Sequence, residues 1–157
     1  MTKSDVPDFG KTQINPQWKI ALVRSVWYSD LTSAMATDAR KTLIAAGIPE
    51  KNIQLIDAPG SFELPLLCQK ALEQGADGAI ALGIIVQGAT HHARLIAEQS
   101  AAGCMQVQLA LGKPIIFEVL FVDALDDARS RAVGTDAKGS LAAKTLLTQL
   151  ANVSKMS

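Results

Sequence analysis

From Lys19 onward, short runs of apolar residues alternate with longer stretches in which apolar residues recur every three or four positions. Short unbroken apolar runs are typical of strands buried on both faces, and the longer spacing is typical of amphipathic helices. The pattern predicts strands at 19–27, 53–58, 78–86 and 114–122. It predicts helices at 31–46, 61–74, 91–111, 124–133 and 140–154.

Alternation of strands with helices predicts an α/β fold in which a parallel sheet is covered on both sides. The element order favours a three-layer α/β/α sandwich with a flavodoxin-like four-stranded parallel sheet. Residues 19–157 contain no internal repeat or linker, so they are predicted to form a single domain. Residues 1–18 are polar, contain Pro7, Gly10 and Pro16, and show no periodicity, which predicts a flexible N-terminal arm.

Composition narrows the classes of function. The 157 residues include 15 basic and 15 acidic side chains, so there is no net charge to attract nucleic acid or an anionic membrane. Near-neutrality leaves self-association unopposed. Cys68 and Cys104 lack CxxC spacing and are interpreted as buried free thiols, and two histidines are too few for a His-rich zinc site. Neither a membrane-length apolar run nor a secretory signal is present, so a cytoplasmic location is expected.

In parallel sheets ligands bind beyond the carboxyl ends of the strands. Four segments must meet at that edge, and they contain an aromatic residue, a glycine turn, carboxylates and both histidines: 27–28, 57–63, 87–92 and 121–123. We expect the functional site there.

The turn Gly88-Ala89-Thr90 leads from a strand directly into a helix. Free N–H groups at a helix start attract anions such as phosphate, and Thr90 can cap the helix. The turn matches neither GxxxxGK[ST] nor GxGxxG, and an ordinary capped helix is the simpler interpretation.

His91 and His92 open the same helix. Imidazole is suited to proton transfer near neutral pH, and adjacent helical residues point about 100° apart, so only one of the two can face a pocket. A pair of solvated histidines is the alternative.

Three further features also have ordinary structural interpretations, which are the commoner ones when each feature is taken alone. Ser61 and Glu63 can cap a helix or contact a hydroxylated ligand. Trp27 can pack in the core or stack on a flat heterocycle. Arg131, with Lys138 nearby, can be solvated or can hold a phosphate.

Taken together these segments resemble the lumazine synthase family. The matching pieces are 58–65 (APGSFELP), 82–92 (LGIIVQGATHH), 114–117 (PIIF), 131–132 and 138–139. The resemblance implies condensation of 5-amino-6-(D-ribitylamino)uracil with 3,4-dihydroxy-2-butanone 4-phosphate, with release of phosphate and water, and requires no cofactor and no metal.

The resemblance also implies residue roles. His92, at the end of the G-x-T-x-H pattern, matches the proton-transfer residue. The positions matched to the ribitylaminouracil are Trp27, Ser61, Phe62, Glu63, Ile84, Ile85, Val86 and Phe117. Those matched to the phosphate are Ala89, Thr90 and Arg131, with Lys138 as a second cation.

Family members form pentamers, some of which build sixty-subunit shells, and the resemblance implies that Phe117 and Arg131 come from a neighbouring subunit. Association with riboflavin synthase is a further partner that it suggests. The alternative interpretation is a flavin- or lumazine-binding assembly protein with little catalysis, in which Trp27 stacks on the bound ring.

Overall fold

The computed structural model describes residues 9–134 and 137–157. Its strands are Ile20–Ser25 (β1), Ile53–Ala58 (β2), Gly78–Val86 (β3) and Ile115–Val122 (β4). They form one fully parallel four-stranded sheet, as the sequence predicted, and the structure gives its strand order as β2-β1-β3-β4.

Five α-helices connect and follow the strands: Ser29–Ala46 (α1), Leu64–Glu73 (α2), His92–Leu111 (α3), Leu125–Ala132 (α4) and Lys138–Lys155 (α5). Gly47 ends α1 in a left-handed conformation, with φ 115°. The predicted helix 61–74 is divided into a 3-10 turn, Ser61–Glu63, and α2, with Pro65 in the first turn of α2. A proline is tolerated there because the N–H it lacks has no partner within the helix.

The helices cover both faces of the sheet. Helices α1, α4 and α5 lie on one face, and α2 and α3 lie on the other. Along β1, Ile20 and Leu22 face the first layer while Ala21 and Val23 face the second. The predicted three-layer sandwich is confirmed.

Small residues allow the helices of the first layer to approach closely. Gly139 in α5 lies against the backbone of Met35 in α1, where a β-carbon would overlap the Met35 carbonyl oxygen. This contact anchors the start of α5 beside β4, at the edge where the site is expected.

Part of the predicted arm packs on the domain. Trp18 is buried in the core, the Asn52 side-chain amide donates to the Pro16 carbonyl oxygen, and Thr12 contacts Thr148 through their hydroxyls. Residues 1–8 of the arm lie outside the described residues. Among the helices described here, none is long and apolar enough to cross a membrane.

Candidate active site

The strand order places a crevice above β1 and β3. The chain passes from β1 to β2 on one side and returns to β3 on the other, so the loops after these central strands diverge. A cavity of about 280 Å³ opens there. It is lined by Trp27, Tyr28, Gly60, Ser61, Phe62, Glu63, Ile84, Ile85, Val86, His92, Ala93 and Ile96.

Trp27 forms one wall of the cavity. The strand β1 ends at Ser25, and Tyr28 adopts a left-handed conformation with φ 54° that starts α1. The Trp27 side chain is left 64% exposed, so the core-packing interpretation of this residue is wrong. Its indole lies beside Gly60, where a β-carbon would be 3.5 Å from Nε1. An exposed indole at a cavity mouth can stack on a flat ring.

The turn Ser61–Glu63 forms a second wall of the cavity. Phe62 is 61% exposed, and a Glu63 carboxylate oxygen lies 3.6 Å from the position a Gly60 β-carbon would take. Ser61 is buried, and its hydroxyl lies over Gly83 of β3, where a β-carbon would be only 2.6 Å away. Glycine at position 83 therefore makes room for Ser61.

The expectation that Ser61 caps a helix is wrong. No side-chain cap is formed at the 3-10 turn or at α2. The Ser61 backbone carbonyl instead accepts a hydrogen bond from the Leu64 N–H, because the 3-10 turn continues directly into α2.

The glycine turn after β3 is held by a side chain that sequence reasoning did not assign to the site. The Gln87 side-chain amide donates to the carbonyl oxygens of Gly88 (3.1 Å) and Thr90 (3.3 Å). The Gln87 backbone N–H donates to the Val122 carbonyl oxygen at 2.8 Å, which ties the turn to β4. Thr90 Oγ1 accepts a long bond, 3.4 Å, from the His92 N–H. Ala89 and Thr90 are exposed and do not line the cavity.

The two histidines point to different places. His92, the first residue of α3, lines the cavity, whereas His91 is exposed and does not line it. One turn further along α3, Ile96 lines the cavity on the same side. Its spacing of four residues from His92 was a signal by which the sequence could have identified it.

The remaining predicted residues are not brought to this cavity within one chain. Phe117 is half-buried on β4 and packs on the face covered by α2 and α3. Arg131 is exposed on α4 and donates to the Asp127 carbonyl oxygen at 2.7 Å. It lines a separate cavity of about 380 Å³ with residues 119–123 and Asp127. Lys138 is the half-buried first residue of α5.

A carboxyl group that the sequence did not assign to the site has an altered acidity. Burial raises the pKa of Glu118 to about 7, and the Lys138 ammonium partly opposes this shift. Glu118 lies on β4 and shares its face with Ile116 and Leu120, which pack against the layer of α1, α4 and α5. The cause is an apolar environment, which penalises the charged form.

Cys68 and Cys104 are free and buried, as predicted. A hydrogen bond that the Cys68 thiol donates to Cys104, together with burial, raises the pKa of Cys68, and the same bond lowers the pKa of Cys104. In the part of the chain that the structure describes, no three His, Cys, Asp or Glu side chains are grouped so as to hold a metal ion.

Comparison with known proteins identifies the relatives of this chain. The family model described as 6,7-dimethyl-8-ribityllumazine synthase matches residues 17–154. A protein of that name from Xanthomonas oryzae pv. oryzae is 36% identical over 121 residues, covering 76% of this chain and 79% of the relative. Another, from Xanthomonas euvesicatoria pv. vesicatoria, is 36% identical over 118 residues, covering 74% and 77%.

Proposed function

The chain belongs to the 6,7-dimethyl-8-ribityllumazine synthase family, and from this premise we propose that it forms the lumazine in the cavity above β1 and β3. Members of the family are transferases of riboflavin synthesis. The observation that carries the proposal is the convergence of Trp27, Ser61–Glu63, Ile84–Val86 and His92 on one cavity from four separate segments.

The walls of the cavity suit a ribityl-substituted pyrimidine. The exposed Trp27 indole offers a stacking surface, and the end of β3 offers an apolar floor. Glu63 is an acceptor for the hydroxyl groups of the ribityl chain, and it stands beside Trp27 across Gly60. We therefore assign the pyrimidine to the space between Trp27 and the Ser61–Glu63 turn.

The turn before α3 suits the phosphate of the second substrate. Gly88, Ala89 and Thr90 are exposed, and they lie at the N-terminal end of α3, where the helix dipole favours an anion. The Gln87 amide holds the carbonyl oxygens of Gly88 and Thr90, so these acceptors are not presented to the anion. We place the phosphate at this turn.

The reaction needs orientation and proton transfer. The 5-amino group of the pyrimidine adds to the ketone carbon, and loss of water forms a C=N bond. Loss of the proton at C3 supplies the electrons with which the C4–O bond breaks, and phosphate leaves with the electron pair of that bond. The enol that results tautomerises to a new carbonyl at C3. The ribitylamino nitrogen closes the ring on this carbonyl, and a second water leaves. His92 stands between the pyrimidine space and the phosphate turn, where imidazole can move protons at these steps.

The site is completed by a second copy of the chain. Phe117 and Arg131 do not line the cavity of their own chain, although the resemblance assigns both to substrate. Large apolar side chains are exposed along α3, including Leu95, Met105 and Leu109, so a neighbouring copy has apolar surface to cover. We propose at least a pentamer with sites between adjacent copies. A sixty-subunit shell, association with riboflavin synthase and a cytoplasmic location stay predictions from the resemblance and the sequence.

A second candidate function is a flavin- or lumazine-binding assembly protein with little catalysis. The large exposed surface of Trp27 favours it, because an indole can stack on an isoalloxazine ring. Quenching of riboflavin fluorescence without formation of lumazine supports this alternative, and absence of riboflavin binding excludes it.

The experiment that tests the proposed function follows lumazine formation by absorbance with both purified substrates present. We expect a rate that saturates in each substrate. Absence of turnover in protein shown to be folded and assembled contradicts the proposal.

A further inference from the structure

A buried hydroxyl joins the Ser61–Glu63 turn to α3 behind the cavity. Ser100, on α3, is 1% exposed. Its Oγ lies 3.0 Å from the carbonyl oxygen of Ser61 and 2.6 Å from that of Ile96. The single hydroxyl hydrogen therefore lies between a carbonyl of the Ser61–Glu63 turn and a carbonyl of the helix that carries His92.

Contacts further along α3 show that this face of the helix packs closely on the segment 61–68. Gly103 lies against Pro65, where a β-carbon would be 2.9 Å from the proline Cγ. Cys104 and Cys68 belong to the same buried cluster. Those contacts lie one turn of α3 beyond Ser100. Of the three α3 residues Ser100, Gly103 and Cys104, Ser100 lies nearest to the cavity, since its partners Ser61 and Ile96 both line it.

The Ser61–Glu63 turn has few bonds of its own. Glu63 N–H donates to the Gly60 carbonyl oxygen at 3.2 Å, and Leu64 N–H donates to Ser61. Phe62 and Glu63 are exposed, so within the turn only Ser61, which lies over Gly83, is fixed by packing. The hydroxyl of Ser100 is thus a direct link between the turn and α3.

We propose that Ser100 is a positioning residue: it holds the Ser61–Glu63 turn against α3, the helix that carries His92, and so fixes the position of the wall that binds the pyrimidine. It acts through the Ser61 carbonyl and does not touch substrate. The inference rests on the proposed function, in which this turn binds the pyrimidine. It does not involve the phosphate turn, which is held by Gln87 and by the Val122 carbonyl oxygen.

The test is Ser100→Ala in the assembled full-length protein. The substitution removes the hydroxyl and keeps helix propensity. We expect KM for the ribitylaminouracil to rise by about fivefold, which is the usual net effect of one buried hydrogen bond. We expect kcat, and KM for the butanone phosphate, to stay within about twofold of the wild-type values, because the phosphate turn is held by other hydrogen bonds.

Thr145→Ala is the matched control. Thr145 Oγ1 makes the same bond to the carbonyl four residues earlier, Leu141, at 2.9 Å, but in α5 and away from the cavity. We expect it to change the melting temperature about as much as Ser100→Ala and to leave both KM values unchanged. A merely structural role for Ser100 predicts the same kinetic result for the two variants.

Titration of each protein with the ribitylaminouracil alone, read from the change in tryptophan fluorescence, is the second measurement; Trp18 is buried away from the cavity, and Trp27 lines it. Weaker binding in Ser100→Ala than in wild type and Thr145→Ala supports the proposal whether or not turnover is detected. If the wild-type protein forms lumazine and Ser100→Ala has unchanged affinity and KM for the pyrimidine, the positioning role is overturned while the proposed function stands. A wild-type protein that neither binds the pyrimidine nor turns over overturns both.

Discussion

At the scale of single residues, His91 and His92 carry the same imidazole at adjacent positions, but only one of the two side chains faces the cavity. His92 lines the cavity and His91 is exposed outside it. We expect His92→Ala to lower kcat by about 100-fold, near the lower end of what a positioned acid–base group contributes. The measurement is the steady-state rate of lumazine formation, with native mass spectrometry to show unchanged assembly.

His91→Ala is the matched control for this prediction. It removes the same imidazole at the adjacent position, and we expect wild-type kinetics. Equal losses in the two variants contradict a specific role for His92.

Glu118 predicts a dependence of stability on pH. Burial raises the pKa of this carboxyl to about 7, against about 4.3 in an unfolded chain. Between these values the unfolded chain has lost the proton and the folded chain still holds it, so stability falls as pH rises from about 4 to 7. Glu118→Gln cannot ionise at this position. We expect its free energy of unfolding, relative to that of wild type, to rise by about 2 kcal/mol as the pH increases from 5 to 8.

The measurement is urea unfolding of both proteins at pH 5 and pH 8, at one protein concentration. Because the two proteins have every other ionisable group in common, the difference between their free energies of unfolding reports the contribution of Glu118. If the difference in free energy of unfolding is the same at pH 5 and pH 8, a pKa near 7 for Glu118 in the folded protein is contradicted.

At the scale of elements, periodicity predicted which segments are helices and strands but not how one of the helices begins. The predicted helix 61–74 starts as a 3-10 turn, and α2 proper begins at Leu64 beside Pro65. The 3.6-residue pattern cannot distinguish these forms over three residues. The difference matters because Phe62 and Glu63 reach the cavity from that turn.

The contact between α1 and α5 predicts a sensitive position. A β-carbon at Gly139 would overlap the backbone carbonyl of Met35, which cannot move without displacing α1. We expect Gly139→Ala to lower the free energy of unfolding by about 3 kcal/mol. The measurement is the urea midpoint at fixed protein concentration.

Gly103→Ala is the comparison variant in α3. Its β-carbon would lie 2.9 Å from Cγ of the Pro65 ring, which can yield only by changing its pucker, while alanine gains helix propensity. We therefore expect a smaller loss than at Gly139, about 1 kcal/mol. If the two variants lose equal stability, the backbone contact is not the cause.

At the scale of the whole molecule, the separation of the two cavities predicts sites shared between copies. Arg131 lines one cavity and His92 the other, with no residue in common. We expect His92→Ala and Arg131→Ala to be nearly inactive alone. After dissociation, mixing in equal amounts and reassembly, about a quarter of sites combine intact residues from two chains.

The measurement is the rate of lumazine formation after mixing, and we expect about a quarter of the wild-type rate. Mixing without dissociation is the control. No recovery after confirmed subunit exchange, or a monomer in native mass spectrometry, contradicts shared sites.

The sequence by itself determined the order, type and approximate bounds of the elements, because hydrophobic periodicity is a local property. The alternation of strands with helices along the chain predicted the parallel sheet. Recognition of the family followed from short motifs such as 58–65 and 82–92, and the match to residues 17–154 confirms it.

Only the tertiary structure decided which of these residues share a cavity. Three contacts join positions whose packing no local sequence pattern encodes. The Ser61 hydroxyl lies over Gly83, the Ser100 hydroxyl bonds to the Ser61 carbonyl oxygen, and the Gln87 amide donates to a carbonyl oxygen of its own turn. The structure likewise showed Trp27 exposed and placed Arg131 in a second cavity. The physical reason is that side-chain direction and burial depend on packing between elements that are distant in the chain.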